Sequence, residues 1–267
     1  VTDSKGNFLA LGHYQIGSIA VRIISFTKRS IDKNFWEEKI QSAYTLRVTL
    51  GLTEVANNDT YRLIHGEGDT LPGLIVDVYG DSAVLQAHSV GMHLSRMDIA
   101  NALIKTVKGL KNVYYKSETT LPYKAPIEKE DGYLIGGEKE EYIATEYGLQ
   151  FHVDWLRGQK TGFFVDQREN RLLLEKYAKN RSVLNMFCYT GGFSFYALRG
   201  GATLVHSVDS SAKAIELTNK NVALNFPKDS RHEAFAVDAF KFLENIKDKY
   251  DLIILDHVID VFLEQHV

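Results

Sequence analysis

The chain has 267 residues, 45% apolar and 24% charged, with 20 Gly, 4 Pro and a single Cys. That length carries about two domains of ~100–200 residues each; the composition leaves no room for a Pro-rich linker or a disulfide framework, and no apolar run nears the ~18 residues that would span a bilayer. The net charge of −3 is uneven, with 7 basic and 5 acidic side chains in residues 1–56, 9 and 15 in 57–155, and 15 and 14 in 156–267, so bulk charge gives no basic nucleic-acid footprint.

The chain opens at Val1, inside what reads as a strand, and is expected to be a fragment. Phe8–Leu11 and Ile19–Ile24 alternate around the turn Asp3–Asn7, as strands of a small barrel would. Asp32 opens an amphipathic helix with Phe35, Trp36, Ile40, Ala43, Tyr44 and Val48 on its buried side. Leu63-Ile64, Leu74–Tyr79 and Ala83–Ala87 read as strands, the last two joined by a Gly80-Asp81 turn. A helix over Met97–Val107, a strand at Val113–Tyr115 and a hairpin from Tyr142 to Val153 complete a central α+β region. The acidic clusters Glu128–Asp131 and Glu138–Glu141 read as solvated turns.

The pattern changes after Trp155. Helix 168–178, strand 182–187, helix 193–198, strand 203–208, helix 212–224, strand 233–237, helix 240–245 and strand 250–255 alternate, which predicts βαβ units and a parallel sheet. A ligand is expected beyond the carboxyl ends of those strands. The first ends in Asn185-Met186-Phe187-Cys188-Tyr189-Thr190-Gly191-Gly192, where glycine permits a sharp turn and close approach of a ligand. A dinucleotide fingerprint needs a third glycine, and Phe193, Ser194 and Phe195 follow instead. Strand two ends at Asp209-Ser210, strand three at Asp238-Ala239 and strand four at Asp256. Carboxylates at three successive strand ends suit a cationic, phosphate-free nucleoside such as S-adenosylmethionine (SAM), whose ribose hydroxyls a carboxylate can bind. Asp209 and Asp238 also read as helix caps, and Gly191-Gly192 as a plain tight turn.

Three segments carry a resemblance. Gly158-Gln159-Lys160-Thr161-Gly162-Phe163-Phe164-Val165-Asp166-Gln167-Arg168-Glu169-Asn170-Arg171, together with Asn185–Gly192 and Arg62–Leu74, resembles the PUA-domain class I methyltransferases that modify cytosine C5 in large-subunit ribosomal RNA. The resemblance implies a partial RNA-binding PUA barrel at 1–27, a helical connector at 28–56, a central α+β domain at 57–155, and a Rossmann-like α/β methyltransferase domain at 156–267, cut after its fourth strand. It implies SAM as cofactor and 23S rRNA as partner, naked or in an assembly intermediate, with no membrane and a homodimer left open. Lys160, Phe163, Asp166, Gln167, Arg168, Asn185, Phe187, Tyr189, Thr190, Gly191, Asp209, Ser210, Asp238, Ala239 and Asp256 are its implied cofactor residues; Arg168 or Lys160 would meet the carboxylate of SAM. Asp166 and Glu169 read equally as a capping pair.

The sequence departs from the family twice. Asp256, expected at the target-base pocket as the start of an Asp-Pro-Pro-x-Phe motif, is followed by His257-Val258-Ile259-Asp260-Val261-Phe262. The nucleophilic cysteine of a later Ser-Cys-Ser motif is not among these residues, and Cys188, in the cofactor loop, reads as a buried apolar side chain. A methyltransferase acting on guanine or a small molecule, or a non-catalytic RNA- or SAM-binding module, are the competing readings. No metal is expected: the nine histidines are scattered without helical pairing.

Overall fold

The computed structural model describes residues 1–122, 127, 130–137, 139, 142–246 and 248–256. The chain forms two compact units, Val1–Gly148 with Val153–Val165, and Leu149–His152 with Asp166–Val267.

The first unit begins with an antiparallel pair, β1 (Leu11–Tyr14) and β2 (Val21–Ser25). The N-terminal turn forms as expected, Asp3 Oδ1 accepting the amides of Lys5 and Asn7. The first strand, however, starts at Leu11, where Phe8–Leu11 was expected, and Phe8 makes only an isolated bridge to Thr2. β1 and β2 form a two-stranded sheet, so this region is a β-rich element at the start of the first unit.

Helix α1 (Lys33–Thr49) is capped by Asp32, whose Oδ1 accepts from Phe35 N at 3.1 Å. Its buried face is the predicted one except at the end. Val48 is 39% exposed, and Arg47 turns inward instead, forking onto both oxygens of Asp69 and donating Nε to Arg62 O. A bidentate partner and a carbonyl satisfy the buried guanidinium, so the helix gains a polar anchor where an apolar one was expected.

The five strands β3 (Thr60–His65), β4 (Leu74–Tyr79), β5 (Ser82–Ala87), β6 (Asn112–Tyr115) and β7 (Gly132–Ile135) form one sheet in that order. All neighbours are antiparallel except β5 and β6, which run parallel because helices α2 (Val90–Leu94) and α3 (Arg96–Thr106) make the crossover. α1 and α3 cover one face of the sheet with a continuous apolar core. The strand β8 (Tyr142–Glu146) follows, then β9 (Leu149–Val153). Glu128, Glu138, Glu140 and Glu141 lie outside the described residues.

The second unit has the alternating order: α4 (Arg168–Tyr177), β10 (Ser182–Met186), α5 (Gly192–Arg199), β11 (Leu204–Asp209), α6 (Ala212–Asn225), β12 (His232–Ala236), α7 (Ala239–Asn245) and β13 (Leu252–Leu255). The four strands are parallel, in the order β12-β11-β10-β13. This is the class I Rossmann-like arrangement. The chain leaves β10 toward β11 and β12, then returns to β13 on the opposite side of β10. Parallel sheets open a crevice at such a reversal, at the carboxyl end of the first strand. No helix among the described residues is long and apolar enough to cross a membrane.

Candidate cofactor site

The segment after β10 is built to turn sharply. Phe187, Tyr189 and Gly191 have φ of 56°, 48° and 80°, so every second residue sits in the left-handed region. Two of the three carry side chains there, a conformation that costs on the order of 1–2 kcal/mol per residue and needs outside support. At Gly191 a side chain has no room: an added Cβ would lie 2.6 Å from Thr218 Cγ2.

Four hydrogen bonds from neighbouring elements supply the support. Cys188 N donates to Val208 O at 3.0 Å, and Tyr189 N donates to Asp209 Oδ2 at 2.9 Å. From α6, Thr218 Oγ1 donates to Tyr189 O and Asn221 Nδ2 to Thr190 O, both at 2.9 Å. Asn221 Oδ1 in turn accepts His152 N at 2.8 Å, and Asn225 exchanges two bonds with the backbone of Gln150. Thr218, Asn221 and Asn225 stand three and four residues apart, one polar stripe on a helix face. Sequence reasoning missed it; the available signal was a hydroxyl and two amides recurring at helical spacing on one face of α6.

The carboxylates differ from one another. Asp209 does not cap α6: Ser211 does, accepting from Ala214 N at 3.3 Å. Asp209 instead joins the end of β11 to the loop, its two oxygens taking Tyr189 N and Ser211 N. Each oxygen retains acceptor capacity beyond that single bond. Ser210 beside it is exposed. Asp238 is a cap, with Oδ1 accepting from Phe240 N and Lys241 N, and Ala239 is the first residue of α7. Asp256 follows β13 and is half-buried; His257–Phe262, which stand where the family's base-pocket motif was expected, lie outside the described residues.

Behind the loop runs a polar chain, buried at Asn185, Ser194 and Ser207 and half-buried at His232. Asn185 Nδ2 donates to Ser194 Oγ at 2.9 Å, Ser194 Oγ meets Ser207 Oγ at 2.6 Å, and Ser207 Oγ meets His232 Nε2 at 2.8 Å. Burial, with the nearby His206 adding, pushes the His232 pKa down to about 4, so its imidazole is neutral in the fold. Cys188 is 6% exposed, and burial followed by the charge of Asp209 pushes its thiol up to about 12. A thiol so placed is a small apolar side chain and no nucleophile. A cavity of about 800 Å³ lies along β12 and α7, lined by His206, Phe235, Val237 and Phe242, but none of the strand-end carboxylates faces it.

Gln167 precedes α4 and makes no capping bond with its side chain; it accepts from Asn170 Nδ2. Asp166 lies in a 3-10 turn, Val165–Gln167, that leads directly into α4. Arg168 is buried in the second unit. Lys160 and Phe163 belong to the first unit. Lys160 is exposed at φ 48°, its Nζ 4.3 Å from the centre of the Phe164 ring, and Phe163 is buried. Their segment is pinned by Thr161 Oγ1, which donates to the fully buried Asp77 at 2.6 Å and contacts Tyr79 OH at 2.9 Å, while Arg62 forks onto the same carboxylate. Lys116 Nζ donates to the carbonyls of Trp155 and Gly158.

These features fit SAM. Gly191 lets the loop turn tightly against α6, Asp209 offers acceptors beside it, and Thr190 Oγ1 is buried with no hydrogen-bond partner among the described residues. No group of metal-ligating side chains occurs among those residues.

The family model for S-adenosylmethionine-dependent methyltransferases matches residues 121–261. The ribosomal RNA large subunit methyltransferase I of Klebsiella pneumoniae (strain 342) is 37% identical over 262 residues, covering 96% of this chain and 65% of the relative. The enzyme of that name from Escherichia coli O157:H7 is 37% identical over 263 residues, with the same coverage. Among solved structures, a protein assigned as a SAM-dependent methyltransferase from Streptococcus mutans superposes with a TM-score of 0.81 at 25% identity, covering 94% of this chain and 66% of that one. A methyltransferase crystallised with S-adenosylhomocysteine (SAH) gives a TM-score of 0.82 at 25% identity, with coverage of 94% and 65%. The chain thus spans about two-thirds of the length of these relatives, 65% for the curated ones.

Proposed function

Because the chain belongs to the S-adenosylmethionine-dependent methyltransferase family, with SAM as its cofactor, we propose that it serves methyl transfer to large-subunit ribosomal RNA, with C5 of a cytosine in 23S rRNA as the acceptor, in the cytoplasm. The observation that carries the cofactor part is the left-handed loop Phe187–Gly191, at the reversal point of the parallel sheet, tied to the carboxylate of Asp209. The RNA part rests on the names of relatives 37% identical across nearly all of this chain.

When bound, SAM supplies an electrophilic methyl group on a sulfonium. Asp209 would take the ribose hydroxyls with the lone pairs its two amide donors leave over. Gly191 and Tyr189 would line the methionine side, and the carboxylates Asp238 and Asp256 would favour a cationic ligand over a phosphorylated one. The loop's left-handed residues are held before any ligand arrives, so little ordering cost falls on binding. Positioning carries much of the rate in such a transfer.

Cytosine C5 is a poor nucleophile until a thiolate adds to C6. Cys188 is ruled out for that role by its burial and raised pKa, so the reading places the attacking thiol outside these 267 residues. The test is transfer of tritiated methyl from SAM to 23S rRNA transcripts, followed by nucleoside analysis. Labelled 5-methylcytidine is expected when the chain is assayed within its whole protein. Label in methylguanosine overturns the acceptor, and binding of NAD without binding of SAH overturns the cofactor.

A further inference from the structure

Left-handed Phe187 and Tyr189 are not self-supporting, and the bonds that hold the loop from its far side come from two side chains of α6. Thr218 and Asn221 are each fully buried, and each spends a donor on a loop carbonyl, Tyr189 O and Thr190 O. The amide of Asn221 has only one workable orientation. Flipped, it would set an oxygen against Thr190 O and an NH₂ against His152 N. One side chain therefore fixes two backbone groups that are distant in sequence, a carbonyl of the loop and an amide of β9. The methyl of Thr218 also fills the space a Cβ would need at residue 191, so the hydroxyl and methyl of one threonine set both the path and the crowding of the turn.

We propose that Thr218 and Asn221 are positioning residues for the cofactor: they touch no reacting atom, but they hold Tyr189 and Thr190 in the backbone geometry that receives SAM. The inference rests on the reading of Phe187–Gly191 as the cofactor loop. A buried polar pair on a helix that merely packed the sheet would be replaceable by apolar side chains of like shape at little cost to anything but stability. Here the donors meet the one segment, among the described residues of the unit, with three left-handed residues in five.

Calorimetric titration of SAH into the full chain separates the outcomes, with each variant's unfolding midpoint measured alongside and binding read well below it. Thr218→Val keeps the shape and removes the donor; Thr218→Ser keeps the donor. Asn221→Asp keeps the acceptor for His152 N and removes the donor to Thr190 O. Thr218→Val and Asn221→Asp are expected to raise Kd about tenfold or more, ~1.4 kcal/mol, while Thr218→Ser stays within about twofold of the parent. Asp209→Ala serves as the reference for the cofactor reading itself. If it weakens SAH and the two donor-less variants bind like the parent, whatever their midpoints, the positioning role is wrong. Weakening by Thr218→Ser equal to that by Thr218→Val also overturns it, since the donor would then be irrelevant. If Asp209→Ala leaves SAH binding unchanged, the cofactor reading fails first and takes this inference with it.

Discussion

Asp209→Ala removes one carboxylate and two hydrogen bonds, and the structure says how unequal those bonds are. Ser211 N lies at the exposed start of α6 and finds water when its acceptor goes. Tyr189 N is half-buried under the loop and recovers less. A hydrogen bond to a charged group is worth about 1.5–3 kcal/mol, so the unliganded protein should lose roughly 1–2 kcal/mol, nearly all through Tyr189. Binding should suffer separately, because the same oxygens are the proposed ribose acceptors. A loss of about 1.5–3 kcal/mol there is a Kd increase of roughly tenfold to a hundred-and-fiftyfold. Urea unfolding of the unliganded chain measures the first quantity and calorimetry with SAH the second. A variant that loses stability yet binds SAH within about threefold of the parent would reduce Asp209 to a strut for the loop. One that keeps full stability would show that the Tyr189 bond contributes nothing.

Gly191→Ala forces a Cβ into Thr218 and a side chain into φ 80°; it should cost at least about 1–2 kcal/mol in urea unfolding and weaken SAH, and a variant unchanged in both would refute the tight turn. The Cys188 thiol, buried and pushed up to about 12, should react with a disulfide reagent at neutral pH only as the protein unfolds; rapid labelling of the native chain would contradict it. His232 sits at about 4, below its ordinary 6.5, so the unfolded chain takes up the proton first, and the stabilisation present above pH 6.5 is lost as pH falls toward 4. Between about pH 7.5 and about pH 5 that residue should contribute a loss of about 2 kcal/mol, which His232→Gln should abolish; equal pH slopes for variant and parent would dispose of it.

The second unit was largely legible because its signals are local and repeated. Apolar strands between amphipathic helices leave few alternatives, and the predicted elements from helix 168–178 onward fall within two residues of the observed ones at every boundary. The first unit was less so. Short helix α2 and strand β7 carry too few residues for periodicity to register, and β7 pairs through β6 with partners distant in sequence. Arg47 shows a second kind of loss. Periodicity put Val48 inside, but the guanidinium of Arg47 finds Asp69 22 residues away, and a fork onto a carboxylate outweighs the burial of one valine.

Within the proposed site, the residues that would touch a ligand stood out in the sequence, and the residues that hold them did not. Glycine and aspartate at strand ends are conspicuous because few other roles put those types there. Their supports are ordinary: a threonine, two asparagines and two serines, types that the same sequence uses freely on its surface. Only the fold shows that Thr218 and Asn221 lie under the loop, or that Asn185, Ser194, Ser207 and His232 form one hydrogen-bonded chain. The same difference decides Asp209. Spacing alone made it a plausible cap for α6, since it stands just before a helix. The cap is Ser211, two residues on, and this frees the carboxylate to lean back over the first strand's loop. A carboxylate held by amides from two successive crossovers, Tyr189 N and Ser211 N, is fixed in place by neutral donors. The lone pairs those two amides leave over are what the proposed ribose contact needs, and a phosphorylated ribose would meet the same carboxylate as a like charge.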